Sequence, residues 1–427
     1  MELTLHYGRQ GWPIRVPERN LLKVVRMRQA PPLADPVGHL RRGLKDPIGC
    51  PPLAELAKGK ESACVVICDI TRPVPNWLLL PPVLQTIEAA GVPRERLTIL
   101  VATGTHRPNV GEELEALVGA EIASCYRVAN HHSAEEAEHD YLGTTSTGTE
   151  IWLDRRYVRS ALKVIIGFVE PHLMAGFSGG RKLIVPGIAG DRTMRVVHGA
   201  QMMAHPLCRE GVIEGNPFHS EALEVAKRVG VDFSVNLALD EEKRLTGIFC
   251  GDLEEGHAAA VAFVRQVVTD ELPAPAEIVV TTSGGAPLDA TFYQAVKGVT
   301  AAAPVVKDGG TIILVAECCE GLGSPKFAAL CRETVDGQDF LKRILETDYY
   351  VPDQWQWQKY LQTLRKADVL VVSPTLARPE HRCPLIRSHA SFDQALQAAL
   401  ASHGPDAKIA VIAQGPYVLP KVGGGVQ

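Results

Sequence analysis

Residues 63–69 read ACVVICD, a continuous apolar run that ends on an acid. A run of strand length that is apolar at every position suits a strand covered on both faces of a parallel sheet. The same signature recurs at 97–103 (LTILVAT) and 161–169 (ALKVIIGFV). Between the first two, after the turn TRPVP, residues 78–91 read as a helix ended by Gly91. Residues 144–153 carry the Gly and Thr pattern of a hairpin or irregular excursion, and 231–239 and 245–249 extend or flank the same sheet. From Thr269 the composition shifts to TDELPAPA, a Pro-rich linker.

Beyond the linker the alternation restarts: strand 277–282, helix 289–303, strand 311–317, a helical region at 326–335, strand 367–373, helix 392–402 and strand 408–414. Strands alternating with helices imply right-handed βαβ units and a parallel sheet. The expected fold is therefore α/β, with two domains, each a largely parallel sheet flanked by helices. Residues 1–270 form the first domain and 276–414 the second, doubly wound one, with the Gly-rich tail 415–427 returning to pack on the first. The expected active site lies in the interdomain cleft.

A chain of 427 residues is too long for one ordinary core, and 46% hydrophobic with 22% charged residues is a globular balance. A net charge of -5 excludes the basic stripe that a nucleic-acid binder needs to displace counterions. The N-terminus lacks the apolar core of a secretory signal, and no apolar run approaches the ~18 residues of a membrane helix. The ten Cys are scattered without zinc-ribbon spacing. These features point to a reducing cytoplasm, no membrane and no nucleic-acid partner, and leave room for an oligomer.

In open α/β sheets ligands bind outside the carboxyl ends of the strands. The first strand runs into Asp69-Ile70-Thr71-Arg72-Pro73, the second into Thr103-Gly104-Thr105-His106-Arg107-Pro108, and the third into Glu170-Pro171-His172. Taken singly, a His at a strand end is more often a satisfied or surface residue. Two on one edge, beside an acid and an Arg, favour acid–base chemistry, because His titrates near neutrality. Next comes Gly176-Phe177-Ser178-Gly179-Gly180-Arg181-Lys182, where glycine N–H groups can cradle a phosphate and Lys adds charge. The Walker register fails, since Lys182 is followed by Leu183. Past it, Val196-Val197-His198-Gly199-Ala200 brings a further His, an ordinary helix-surface residue if taken alone.

In the second domain, Tyr293-Gln294-Ala295-Val296-Lys297 places Gln294 and Lys297 three apart on one helix face. Lys with an amide is a reasonable carboxylate grip. His131, His132 and His139, set among Glu135, Glu136 and Glu138, read as an exposed polar segment, and His205, His219 and His257 are read the same way.

The blocks CDITRP, ATGTHRP, EPHLMAGFSGGRKLIVPG, VVHGA and LDATFYQAVKG, in this order, resemble the nickel-pincer lactate racemase family. The likeness runs from about Asp69 to beyond Lys297, and the EPH to GGRK to PG block is its most specific part. It implies a first domain that binds cofactor and catalyses, and a second that grips the substrate carboxylate. The implied cofactor is nickel held by a pyridinium-3,5-dithiocarboxylic acid-type mononucleotide, tethered to Lys182 through a thioamide. His198 matches the nickel ligand, and His106 and His172 match the acid/base pair. Asp69, Arg72, Gly179 and Gly180 match the cofactor surroundings, and Gln294, Lys297, Tyr293 and Arg72 the substrate site.

The implied reaction is racemisation or epimerisation of a small 2-hydroxy acid, lactate by default, through loss and return of hydride at the hydroxyl-bearing carbon. It implies cofactor-biosynthesis enzymes as partners. Two other readings of the residues stay open: a metal-dependent hydrolase with His106, His172 and Asp69 as ligands, or a nucleotide-binding protein without turnover.

Overall fold

The computed structural model of the chain describes residues 1–347 and 349–423. It divides into two compact units: one of Gln29–His198 with Leu207–Gln266, the other of Met1–Arg28, Gly199–Pro206 and Val267–Gln427.

In the 29–266 unit the sheet has six strands, in spatial order Leu245–Gly251, Phe233–Leu239, Leu162–Phe168, Ala63–Cys68, Leu97–Ala102 and Arg127–Asn130. All pairs are parallel except Leu245–Gly251 against Phe233–Leu239. The three apolar runs that open the sequence argument lie side by side at its centre, because only a strand sandwiched on both faces buries every side chain. Ile67 pairs with both Val101 and Ile166. The three strands therefore end in step, and Asp69, Thr103 and Glu170 leave the same edge. Helix Asn76–Ala89 covers one face with Leu80, Val83, Leu84 and Ile87. Its C-cap is Ala90, and Gly91 follows at φ +103°.

The excursion after the second strand is a hairpin, His139–Thr144 antiparallel to Glu150–Asp154. It corrects the expectation of an exposed polar segment: His131 and His139 are buried. His131 faces Asp154 through Nδ1 (3.1 Å) and the Ala189 carbonyl through Nε2 (3.0 Å). A histidine with both nitrogens on partners can sit inside at little cost, which a count of nearby charges does not reveal.

The other unit holds a second six-stranded sheet, all parallel: Arg387–His389, Asp368–Val372, Val306–Val315, Ala276–Thr282, Ile409–Ile412 and Leu21–Val25. The edge strand Leu21–Val25 comes from the start of the chain, with Val24 opposite Val411 and Val25 opposite Ile412. Residues 1–28 thus group with the C-terminal sheet rather than with 29–270, a correction to the expected boundary. The linker is half strand: Thr269–Leu272 pairs in parallel with Leu419–Val422. The tail through Gly423 accordingly packs in the C-terminal unit, not on the first domain, and the rest of it (424–427) lies outside the described residues. Helices Gly337–Glu346 and Gln354–Leu364, unread in the sequence, close this core, with Trp357 stacked on Tyr360 at 5.1 Å and Phe292 edge-on to it at 5.3 Å. Among the described residues no helix is long and apolar enough to cross a membrane.

Candidate active site

Asp69 follows strand Ala63–Cys68 and opens a turn in which Arg72 N–H donates to its carbonyl (3.1 Å). Its carboxylate is divided: Oδ1 accepts from Thr71 Oγ1 (2.6 Å) and Thr71 N–H (3.3 Å), while Oδ2 lies 2.7 Å from His106 Nδ1. Burial pushes the Asp69 carboxyl up, but the hydrogen bonds from His106 and Thr71 outweigh it and leave it below the ordinary value. A buried carboxylate can only accept, so His106 carries its proton on Nδ1 and turns the lone pair of Nε2 outward. The His106 side chain is 43% exposed, against 6% for Asp69.

His172 sits in a tight hairpin, Pro171–His172 against Gly176–Phe177, with His172 opposite Gly176. A Cβ on Gly176 would lie 2.0 Å from the Val212 carbonyl oxygen, and its φ is +75°, so glycine alone fits. The Met174 and Ala175 N–H groups both donate to His172 Nδ1 (3.3 Å each), and Nε2 lies 2.9 Å from Lys182 Nζ. Lys182 belongs to the 3₁₀ turn Gly180–Leu183, and its Nζ stands 5.6 Å from the Phe218 ring centre. His198 caps helix Asp191–Val197 and meets the same Phe218 ring edge-on at 5.6 Å. Burial, with the Lys182 charge in support, pulls His198 down to about 3, so its ring is neutral at physiological pH.

Other expected residues play different parts. Arg72 forms an ion pair with Glu170 at 3.0 Å. Gly179 and Gly180 face inward: a Cβ on Gly179 would meet Val169 at 2.7 Å, and one on Gly180 the His257 ring at 2.9 Å. The Gly180 N–H is given to Asn236 Oδ1 (3.1 Å). Close packing and positive φ account for both glycines, and the Gly180 N–H, taken by Asn236, is not turned to an outside phosphate. Arg181, read only as part of the loop, is buried beneath it. It donates to the Ala175 carbonyl (2.7 Å), its Nη1 lies 3.0 Å from His257 Nε2, and burial lowers its pKa to about 9.

In the C-terminal unit, Gln294 and Lys297 lie in the first two turns of helix Phe292–Ala302, which Thr291 caps by accepting from Gln294 N–H (3.4 Å). Gln294 Oε1 is a buried atom without a hydrogen-bond partner. Tyr293 is pinned, its hydroxyl accepting from Trp355 Nε1 at 3.0 Å, and burial raises its pKa.

The structure therefore brings together Asp69 with His106, and His172 with Lys182 beside the ring that also packs on His198. Sequence reading missed Glu170, Thr71, Phe218 and Arg181. Glu170 had a signal, standing two residues before His172 on the same strand end, whereas Phe218 reaches the site only through tertiary packing.

The donor set bears on the implied cofactor. His106, His172 and Asp69 do not make a metal cage: Asp69 is committed to His106 and Thr71, and His172 Nδ1 to two backbone donors. Among the described residues no three His, Cys, Asp or Glu are grouped to hold an ion. A hydrolytic metal centre, which takes about three protein ligands, is not supported. One neutral buried His beside a lysine suits instead a metal that arrives with most of its own ligands.

A two-unit α/β enzyme with acid–base groups at the carboxyl edge of one parallel sheet is what these features define. The profile of the lactate racemase N-terminal domain matches residues 7–211, and that of the lactate racemase C-terminal domain residues 272–419. The chain belongs to the lactate racemase family, and it is an isomerase by that membership. It is 34% identical over 382 residues to lactate racemase of Thermoanaerobacterium thermosaccharolyticum, covering 89% of each chain. Its identity to lactate racemase of Lactiplantibacillus plantarum is 34% over 389 residues, covering 90% of each. The lactate racemase apoprotein structure from T. thermosaccharolyticum superposes with a TM-score of 0.93 at 32% identity, over 99% of this chain and 100% of that one. A Thermotoga maritima protein shares the fold at a TM-score of 0.69 and 18% identity, over 92% of this chain and 100% of that one.

Proposed function

We propose that the chain interconverts the two hands of a small 2-hydroxy acid, with lactate as the default substrate. In this reading it uses a nickel-bearing pyridinium mononucleotide tethered to Lys182, with His198 as the protein's metal ligand. The reading rests above all on the two histidines, each held by a different kind of partner: His106 by the Asp69 carboxylate and His172 by backbone N–H groups and Lys182.

Taking the Cα proton of a 2-hydroxy acid is difficult, because the neighbouring carboxylate is already anionic. Oxidising the carbon to a ketone instead makes it planar and erases its hand. When bound, the cofactor supplies a pyridinium ring able to take hydride from that carbon and return it. The chain supplies the proton chemistry. His106, its Nδ1–H fixed on Asp69, receives the hydroxyl proton at Nε2 from one hand of substrate, and His172 is assigned the same task for the other hand, which requires its ring hydrogen to leave Nε2 although Nδ1 accepts from the Met174 and Ala175 N–H groups. Each base contributes on the order of 10²–10⁴ in rate. Arg72, balanced by Glu170, and Gln294 with Lys297 are assigned to the substrate carboxylate and the cofactor phosphate. Gln294 Oε1 is the buried atom whose unmet hydrogen bond suits a hydroxyl donor.

The test is intact-protein mass and nickel content on chain co-produced with the cofactor-making enzymes, followed by assay of D- and L-hydroxy acids. The expected result is a mass gain mapped to Lys182, stoichiometric nickel and racemisation that Lys182→Ala abolishes. An unmodified chain without nickel, although cofactor is being made, would overturn the reading.

A further inference from the structure

Helix Asp191–Val197 ends on His198, whose N–H donates to the Met194 carbonyl at 3.0 Å, and there the chain leaves the 29–266 unit. Residues 199–206 belong to the C-terminal unit, and Leu207 returns to the other. We infer that helix Gln354–Leu364 is a positioning element for His198: through Gln358 and Lys359 it fixes the backbone that directly follows the proposed metal ligand. The inference rests on the reading of His198 as that ligand. It makes Gln358 and Lys359 positioning residues, acting through Ala200 and Met203.

The helix Ala200–Ala204 has five residues, and isolated helices shorter than about 12–15 residues are marginal in water. Its last carbonyls also lack partners inside the helix. The C-terminal unit supplies what is missing. Gln358 Nε2 donates to the Ala200 carbonyl at 2.8 Å, and Lys359 Nζ donates to the Met203 carbonyl at 2.9 Å. Gln362 Nε2 reaches the Met203 oxygen at 3.4 Å, and Gln201 Nε2 donates in the other direction to the Leu345 carbonyl at 2.7 Å. The Ala200 side chain lies in the core that holds Phe292, Trp357 and Tyr360. Gln358, Lys359, Ala200 and Met203 are all buried, so deleting a donor leaves a buried carbonyl unpaired.

The leash to the metal ligand is short. Two residues of chain lie between the His198 and Ala200 Cα positions, a reach of at most about 7 Å. A shift of Ala200 therefore passes to His198 rather than being taken up by slack chain. Helix ends fray, and a metal bond tolerates a displacement of only about 0.2 Å. A ligand at the last residue of a helix gains from a second anchor just beyond it. The same helix carries Trp355, whose Nε1 donates to the Tyr293 hydroxyl at 3.0 Å. One helix thus fixes the segment after the proposed metal ligand and a residue assigned to the substrate.

The experiment compares Lys359→Met, which keeps the apolar stem and removes the donor, Gln358→Met, and Thr334→Val as a control. Thr334 Oγ1 accepts from Trp357 Nε1 at 3.0 Å, so its loss loosens the same helix without removing a bond to 199–206. Hydrogen exchange of the cofactor-free chain is read peptide by peptide by mass spectrometry. Nickel release to excess EDTA is timed on loaded chain that keeps its Lys182 mass gain. In both Met variants, exchange at 199–205 and nickel release are expected to quicken at least about fivefold, against about twofold or less in Thr334→Val. Unchanged exchange at 199–205, or quicker exchange with unchanged nickel release, would overturn the inference, as would Thr334→Val matching the Met variants. An unsubstituted chain that takes up no nickel overturns the reading of His198 as ligand, and this inference with it, even where exchange behaves as expected; unchanged exchange overturns the inference alone.

Discussion

Replacing Asp69 by Asn tests the acid–base reading at one atom pair. The carboxylate uses both oxygens: Oδ1 takes two donors of Thr71 and Oδ2 faces His106 Nδ1 at 2.7 Å. An amide has one oxygen. Turning it to Thr71 satisfies both of those donors and points the NH₂ at His106, while the reverse orientation leaves the Thr71 N–H facing another donor. The first orientation wins by one hydrogen bond, about 1 kcal/mol, or roughly fivefold in population. In it His106 Nδ1 must accept, the ring hydrogen moves to Nε2, and the nitrogen proposed to take the hydroxyl proton has no lone pair. The imidazolium formed during turnover also loses its carboxylate, worth about 1–2 kcal/mol beyond a neutral partner, or roughly 5- to 30-fold. The combined loss in kcat/KM is about 25- to 150-fold, taken towards the low end because His106 is 43% exposed. The two hands of a racemase substrate are equal in energy, so kcat/KM must fall by the same factor in both directions. The assay is D-to-L and L-to-D conversion on loaded enzyme whose Lys182 mass gain and nickel match the unsubstituted chain. A loss below threefold with normal loading would refute the assignment of Asp69 as the residue that orients His106.

Gly176→Ala forces a Cβ to 2.0 Å from the Val212 carbonyl at φ +75°, so thermal or urea unfolding should show a loss of at least about 2 kcal/mol. Gln294→Leu removes a buried oxygen that has no partner; stability should hold or rise by about 1 kcal/mol while kcat/KM for the hydroxy acid falls about 10- to 100-fold. His257 is held well below its ordinary value by burial and then by Arg181, and His219 to about 4 by the same two causes. Both are neutral when folded and take up protons on unfolding. Their contribution is therefore whole above about pH 6.5 and is lost as pH falls towards 4, at up to about 1.4 kcal/mol per pH unit for each. Urea midpoints of the apoprotein at pH 7 and pH 5 check this, and equal midpoints would contradict it.

The alternation of apolar runs made the two parallel sheets legible, because a strand buried on both faces must be apolar throughout, and no long-range information is needed to see that. The strand ends carrying Asp69, His106 and His172 were legible for the same reason: once three buried strands run parallel, their following residues share an edge. The opening strand Leu21–Val25 was not, since a short mixed run becomes a strand only when Ile409–Ile412 offers it an edge. Nor was the second face of the glycine loop, where Gly180 meets His257 from a distant helix.

What the sequence determined by itself is composition-deep and periodic: the fold class, the sheet edge on which chemistry could gather, and the motif blocks that carry the family likeness. Tertiary structure alone decided the partnerships. It set Asp69 on His106 rather than on a ligand, paired Arg72 with Glu170, buried Arg181 under the loop, and put Lys182 against His172. Hydrogen bonds and protonation states depend on distances of a few ångströms between residues far apart in the chain, and a one-dimensional pattern does not contain those distances.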